Sequence, residues 1–242
     1  NGQLILGTVK NGVYILSESG ALVHHINADS GLNNDTVLSV FSDNRGVWLG
    51  LDDGLAYVKL ESAIQQYNAR QAAIGTAYAT IVFNQYLYVG TNQGLFYRRH
   101  NVDEPLKPIA GLEGQVWSLN RIENKLFCGH DRGAFLVTEN KATQLYAKSG
   151  MWTFKQINDV LMLAGAYDGL HLFSKKSNTW TYQNHLKHFN ISTRYFEIID
   201  DAELLVSHEY KGIYKLTMDE AKTAIVSVKQ LPDVPKSTYS SL

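Results

Sequence analysis

The 242 residues carry 22 Lys+Arg against 23 Asp+Glu, for a net charge of −1. That length suits one domain with a substantial core, as in all-β barrels and propellers, and the even charge, with no basic tract interleaved with aromatics, excludes a nucleic-acid footprint in this segment. The single cysteine, Cys128, excludes an internal disulfide, and no apolar run approaches the ~18 residues that a membrane helix needs.

In chain order one phrase recurs: an apolar β run, a Gly or Ser, a short polar stretch, then Gly and a second apolar run. The copies are LILGTVKNGVYIL (4–16), VWLGLDDGLAYV (47–58), LYVGTNQGLFY (87–97), LFCGHDRGAFLV (126–137), LMLAGAYDGLHLF (161–173) and LLVSHEYKGIYKL (204–216). Their second glycines, Gly12, Gly54, Gly94, Gly133, Gly169 and Gly212, are 42, 40, 39, 36 and 43 residues apart. Each copy predicts a β-hairpin whose turn uses glycine to reach positive φ. A further β-prone run precedes each hairpin from the second on, at 36–41, 78–83, 116–119, 152–157 and 194–199, and a more polar one follows, as at 21–26 and 179–182. Four strands in roughly forty residues describe a propeller blade.

The expected fold is therefore all-β, a single β-propeller domain over 1–242 of about six four-stranded blades. The repeats run roughly 1–29, 30–73, 74–110, 111–148, 149–190 and 191–228, with 229–242 as the first strand of a closing or next blade. Strand 238–242 is expected to complete the N-terminal blade and close the ring, which removes exposed edges; the alternative is a piece of a larger ring. The chain opens at Asn1 without Met and in mid-motif, so it reads as part of a longer protein. Glu61 to Ala73 is the one helix-prone stretch, taken as a blade connection, and Cys128, in the apolar run Leu126-Phe127-Cys128, reads as a core thiol.

The segment from Ser30 to Leu55, SGLNNDTVLSVFSDNRGVWLGLDDGL, resembles the two-component regulator propeller repeat, GL-polar-V-x-S-I followed by D-x-x-G-x-W-x-G-x-x-x-GL. Later blades, with GQVWSL (114–119), CGHDRGAFLV (128–137), the MWTFK run (151–155) and SHEYKGIYKL (207–216), are similar to the sensor propellers of Bacteroidetes regulators that carry a triple-tyrosine domain, a membrane helix and a LuxR-type helix-turn-helix. Departures are Leu87, Leu126, Leu161 and Leu204 in place of the tryptophan, and Ser207 in place of a glycine. The resemblance implies a periplasmic sensor, the extracytoplasmic part of an inner-membrane protein, coupled to transcription directly or through a histidine kinase. The output domains, the membrane span and any dimer contact would belong to the full-length protein.

Propeller topology sends the six hairpin turns toward one channel mouth, and loops on a rigid scaffold are where binding resides. The candidate ligand-binding residues are thus Lys10, Asn11, Asp52, Asp53, Asn92, Gln93, His130, Asp131, Arg132, Tyr167, Asp168, His208, Glu209 and Tyr210. Trp117 and Trp152, on first strands, are offered as stacking platforms, with core packing as the competing reading, whereas Trp48 and Trp180 read as structural. Mixed donors, acceptors and aromatics suit a small polar ligand, an oligosaccharide or peptide, or a partner protein.

His130-Asp131 and His208-Glu209 can be read as acid–base or metal-like pairs, but adjacent turn residues seldom converge on one centre, and no H-E-x-x-H, Cys pair, G-x-S-x-G or P-loop is present. His24-His25 is expected to face solvent. The reading is a non-catalytic sensor with no cofactor, no metal and no nucleic-acid partner. Two others stay open: a propeller-type polysaccharide lyase or hydrolase, and a protein-binding scaffold.

Overall fold

The computed structural model describes residues 2–43, 45–60, 62, 73–102 and 104–232. Alternating Val, Ile, Leu and aromatic positions fold into 22 strands in six antiparallel sheets, each built from strands consecutive in sequence. Among the described residues there is no α-helix; the one helical element is a 3-10 turn at Ala28–Ser30, capped by Asn27, whose side chain accepts from Ser30 N at 3.1 Å. Six such meander sheets are the blades of the β-propeller class.

The chain falls into two compact units, Asn1–Ala73 and Ile74–Leu242. The first holds β1 (Leu4–Gly7), β2 (Val13–Leu16) and β3 (Leu22–Ile26) in one sheet, and β4 (Val37–Ser42), β5 (Val47–Leu51) and β6 (Gly54–Val58) in another. Val13, Leu32, Val37, Val47, Leu49 and Leu51 form its buried core. Both sheets have three strands among the described residues where four were expected. The expected closing strand at 238–242 and nearly all of the helix-prone stretch at 61–73 lie outside the described residues.

The second unit has four blades of four strands each. They are β7 (Ala77–Phe83), β8 (Tyr86–Thr91), β9 (Gly94–Arg99) and β10 (Lys107–Glu113); then β11 (Val116–Ile122), β12 (Lys125–His130), β13 (Gly133–Thr138) and β14 (Lys141–Tyr146); then β15 (Met151–Asn158), β16 (Leu161–Ala166), β17 (Gly169–Lys176) and β18 (Thr179–His185); and last β19 (Tyr195–Ile198), β20 (Glu203–His208), β21 (Gly212–Met218) and β22 (Ile225–Gln230). Two repeat boundaries shift. β10 continues past 110 to Glu113, and β22 continues past 228 because Lys229 and Gln230 pair with Lys215 and Tyr214, which makes them the end of the sixth sheet and not the start of another strand.

The second strands here run apolar through their middles because both faces are covered. Along β12, Leu126 and Cys128 point into one core with Tyr88, Leu95 and Phe135, while Phe127 between them points into the next with Phe154, Met162 and Trp180. β16 repeats this: Met162 and Ala164 share the Phe127 core, and Leu163 joins Leu170, Phe196 and Leu204. Period-2 geometry thus divides one run of side chains between two seams. Cys128 is fully buried, and burial pushes its thiol pKa up, which leaves it an inert core group. In three blades of the second unit the seam closes tightly at a glycine of the second strand, Gly90, Gly129 or Gly165. A Cβ on Gly129 would stand 2.8 Å from Met151 O and 3.0 Å from Trp152 O of the next blade. Ser207 holds that place in β20; it is buried, and its Oγ has no hydrogen-bond partner among the described residues.

The six hairpin glycines all adopt positive φ, from +69° at Gly12 to +153° at Gly94. In several turns the residue at or just after the end of the strand entering the turn also caps it from its own side chain. Thr91 Oγ1 accepts from Gln93 N at 3.0 Å and Gly94 N at 3.2 Å, and Thr8 Oγ1 accepts from Asn11 N at 3.0 Å.

Candidate functional site

The first strands of four blades share one irregularity. Their register against the second strand skips a residue, between Val37 and Ser39 in β4, Ala77 and Ala79 in β7, Val116 and Ser118 in β11, and Met151 and Thr153 in β15. The residues left over are Leu38, Tyr78, Trp117 and Trp152. A bulge takes its extra residue out of the ladder and re-aims the side chain.

In the second unit these bulged side chains meet. The rings of Tyr78 and Trp117 stand 5.2 Å apart, those of Trp117 and Trp152 4.7 Å, and Tyr167 of the β16–β17 turn lies 4.8 Å from Trp152. Trp117 Nε1 donates to the Tyr167 hydroxyl at 2.7 Å and Trp152 Nε1 to Ser192 Oγ at 3.0 Å, which satisfies both indole N–H groups. The row ends on Arg194, whose guanidinium carbon is 5.2 Å from the Trp152 ring centre and 5.1 Å from that of Tyr195. Glu209 holds the guanidinium through a 3.3 Å hydrogen bond. A cleft of about 220 Å³ opens here, lined by Trp152, Ser192, Arg194 and the turn residues His208, Glu209 and Tyr210. Partial burial raises the Tyr167 hydroxyl's pKa against the lowering effect of the Trp117 hydrogen bond, so it stays a neutral phenol at pH 7.

The remaining predicted residues have distinct places. In the first unit Lys10, Asn11, Asp52 and Asp53 are exposed turn residues, and the Asn11 carbonyl accepts from His25 Nε2 at 2.8 Å. His24 is exposed, whereas His25 is half-buried and stacks on Tyr14 with ring centres 4.2 Å apart. In the second unit Asn92 accepts from Thr76 N at 2.8 Å and so pins the lead-in to β7, with Gln93 exposed beside it. Arg132 donates to the carbonyls of Gly111 and Glu113 at 2.9 and 2.8 Å, tying its turn to the end of β10. Asp131, Arg132 and Tyr167 border a second, more open cleft with Ser149 and Gly150.

His130 is fully buried, which removes it from the exposed turn surface where the sequence reading placed it. Its Nδ1 accepts from Arg132 N at 3.0 Å and lies 2.5 Å from Asp131 Oδ1. His208 Nδ1 likewise accepts from Tyr210 N at 3.1 Å and Lys211 N at 3.3 Å. Both histidines thus cap their turns as Thr91 does. Burial lowers the pKa of each, opposed by Asp131 for His130, and assisted by Lys211 against Glu209 for His208. Trp180 is buried in a seam, and Trp48 donates from Nε1 to Asp43 Oδ2 at 3.2 Å.

No family model and no curated protein matches the chain in sequence. Among solved structures, the extracellular domain of a putative one component system from B. thetaiotaomicron is similar over 96% of this chain, with a TM-score of 0.50 and 16% identity. The likeness is one of fold. The chain spans 36% of that domain's length. The C-terminal WD40 domain of Sif2 is matched over 96% of this chain and 69% of its own, at 13% identity and a TM-score of 0.48.

Sequence reasoning missed Tyr78, Ser192 and Arg194. A signal for the first was present: Leu38, Tyr78 and Trp117 each precede their hairpin glycine by 16 residues, and Trp152 by 17. Aligning the repeats on those glycines places Tyr78 in the tryptophan column. Nothing comparable marks Arg194 or Ser192, which enter through tertiary packing on Trp152.

Proposed function

We propose that this chain is the extracytoplasmic ligand-recognising part of a bacterial membrane-bound regulator or two-component sensor. It binds a small polar ligand of the oligosaccharide or peptide kind across the Tyr78–Trp117–Trp152–Arg194 row, and binding biases output domains elsewhere in the full-length protein. The observation that carries this reading is the repeated bulge, which gathers three aromatics from consecutive blades beside a charged pair. Ring faces supply apolar contact area, and Arg194, Glu209 and the Tyr167 hydroxyl supply directional polar contacts at the rim. Supporting it are the fold shared with an extracellular domain of a putative one component system and the likeness of residues 30–55 to the regulator propeller repeat. No helix among the described residues is long and apolar enough to cross a membrane, so membrane attachment is assigned to other parts of the full-length protein. A non-catalytic role is favoured because Glu209, the one carboxylate lining the cleft, is engaged by Arg194.

The test is a thermal-shift screen of the chain against oligosaccharides and peptides, followed by calorimetry on hits. A stabilising ligand should bind at least about tenfold more weakly to Trp152→Ala, since loss of an aromatic stack together with its buried area removes upward of 1.4 kcal/mol. A ligand that binds Trp152→Ala and Trp117→Ala as tightly as the parent chain sinks this site. Turnover of the ligand sinks the sensor reading in favour of the enzyme.

A further inference from the structure

The third blade of the second unit carries a cluster of donors distinct from the aromatic row. Asp168 sits in the β16–β17 turn, His171 follows three residues later in β17, and His185 ends β18 opposite His171 in the strand register. Each offers one donor atom, a ring nitrogen or a carboxylate oxygen, and these atoms all lie within 4.8 Å of one another. His171 Nε2 is 2.9 Å from Asp168 Oδ1, His185 Nε2 is 3.0 Å from the Asp168 carbonyl oxygen, and the two imidazole centres are 4.8 Å apart. Donors around one Zn²⁺ sit about 2.0–2.2 Å from the ion and hence roughly 3–4 Å from each other. The three groups need to close by only about an ångström.

We propose that Asp168, His171 and His185 form a binding site for a divalent metal of the zinc class, with two imidazoles, one carboxylate and an open fourth position. Imidazole with carboxylate selects Zn²⁺ and its transition-metal neighbours over Ca²⁺ and Mg²⁺, which take oxygen donors. Space is provided by Gly169, where a Cβ would stand 2.9 Å from His185 Nε2.

His171 is fully buried, and its Nδ1 has no hydrogen-bond partner among the described residues. No outer hydrogen bond therefore fixes the tautomer, and Nε2 can present its lone pair to a cation with the proton moved to Nδ1. The missing outer partner also sets the affinity: metal-ligating histidines normally have one, and its loss weakens a site about 10–100-fold. The expected site is consequently weaker than a four-ligand structural zinc. Its effect would be to tie the β16–β17 turn to the end of β18, and Tyr167 precedes Asp168 in that turn.

The test is calorimetric titration of tag-free chain with ZnCl₂, alongside Asp168→Asn, which keeps an acceptor for His171, and His185→Gln, which keeps a donor for the Asp168 carbonyl. One saturable equivalent is expected, weakened at least tenfold in either variant while circular dichroism stays that of the parent. His171 is too buried for a safe substitution, so a second readout follows the eight histidines by NMR: the His171 and His185 ring signals should move with zinc occupancy. Absence of saturable binding overturns the proposal. So does binding that survives both substitutions, or ring shifts confined to other histidines such as His24 and His25.

Discussion

Several hairpin turns in this chain are held by two residues of different kinds. Glycine provides a backbone conformation that other residues reach only with strain, and the last residue of the preceding strand caps the turn from its side chain. Gly133 combines φ +122° with a close approach, since a Cβ there would overlap the Tyr146 carbonyl oxygen. Gly20 has φ +81° and nothing within 4 Å of where its Cβ would be. Gly133→Ala is therefore expected to lose more stability than Gly20→Ala, about 1–3 kcal/mol against about 1–2. Urea denaturation of the two variants measures the difference, and equal midpoints would contradict the close-approach argument. The glycines were visible in the sequence because turn chemistry is local. The capping role of His130 and His208 was not, because the same residue letters serve equally well as acids, bases or ligands until burial and the Nδ1 partner are known.

Blades were legible for a related reason: strand runs, turn glycines and spacing are all short-range signals, and β11 begins where its run predicted and β15 one residue ahead of its own. What escaped was the division of each run between two seams, and with it the strands that end later than the repeat boundaries suggested. Phe127 shows what that division means energetically. Its ring lies 5.6 Å from Phe154 and 6.0 Å from Trp180, all in one seam, while its neighbours Leu126 and Cys128 serve the other. Phe127→Ala should cost about 3–5 kcal/mol, as for other buried aromatic truncations. Equilibrium unfolding checks this, and a loss under 1 kcal/mol would mean that the seam collapses around the cavity. The aromatic row was half legible: Trp117 and Trp152 stood out as large aromatics on first strands, Tyr78 needed the repeats aligned, and Arg194 needed coordinates.

At the scale of the whole molecule, protons are linked to folding through histidines withdrawn from water, His130 fully and His208 in part. His130 and His208 both have folded-state pKa values below the ordinary one, mainly from burial, so the unfolded chain takes up the proton first as pH falls. Their contribution is complete above about pH 6.5, the unfolded value, and is lost progressively below it. Melting temperature is thus expected to fall from pH 7.5 to 5.5. Carboxylates such as Asp219, held below its usual range by Thr223 and Ala224, add their loss only at pH values below about 4. A melting temperature that stays flat or rises between pH 7.5 and 5.5 would show that these rings are not kept neutral by the fold.

The bulge at the head of four first strands separates two demands that usually compete for the same amino acid. Its extra residue makes no ladder pair and fills no seam, as the range from Leu38 to Trp152 illustrates. Side chains at such positions can therefore be exchanged while strand pairing and seam packing stay intact, which uncouples what the head of a blade displays from what holds the blade together.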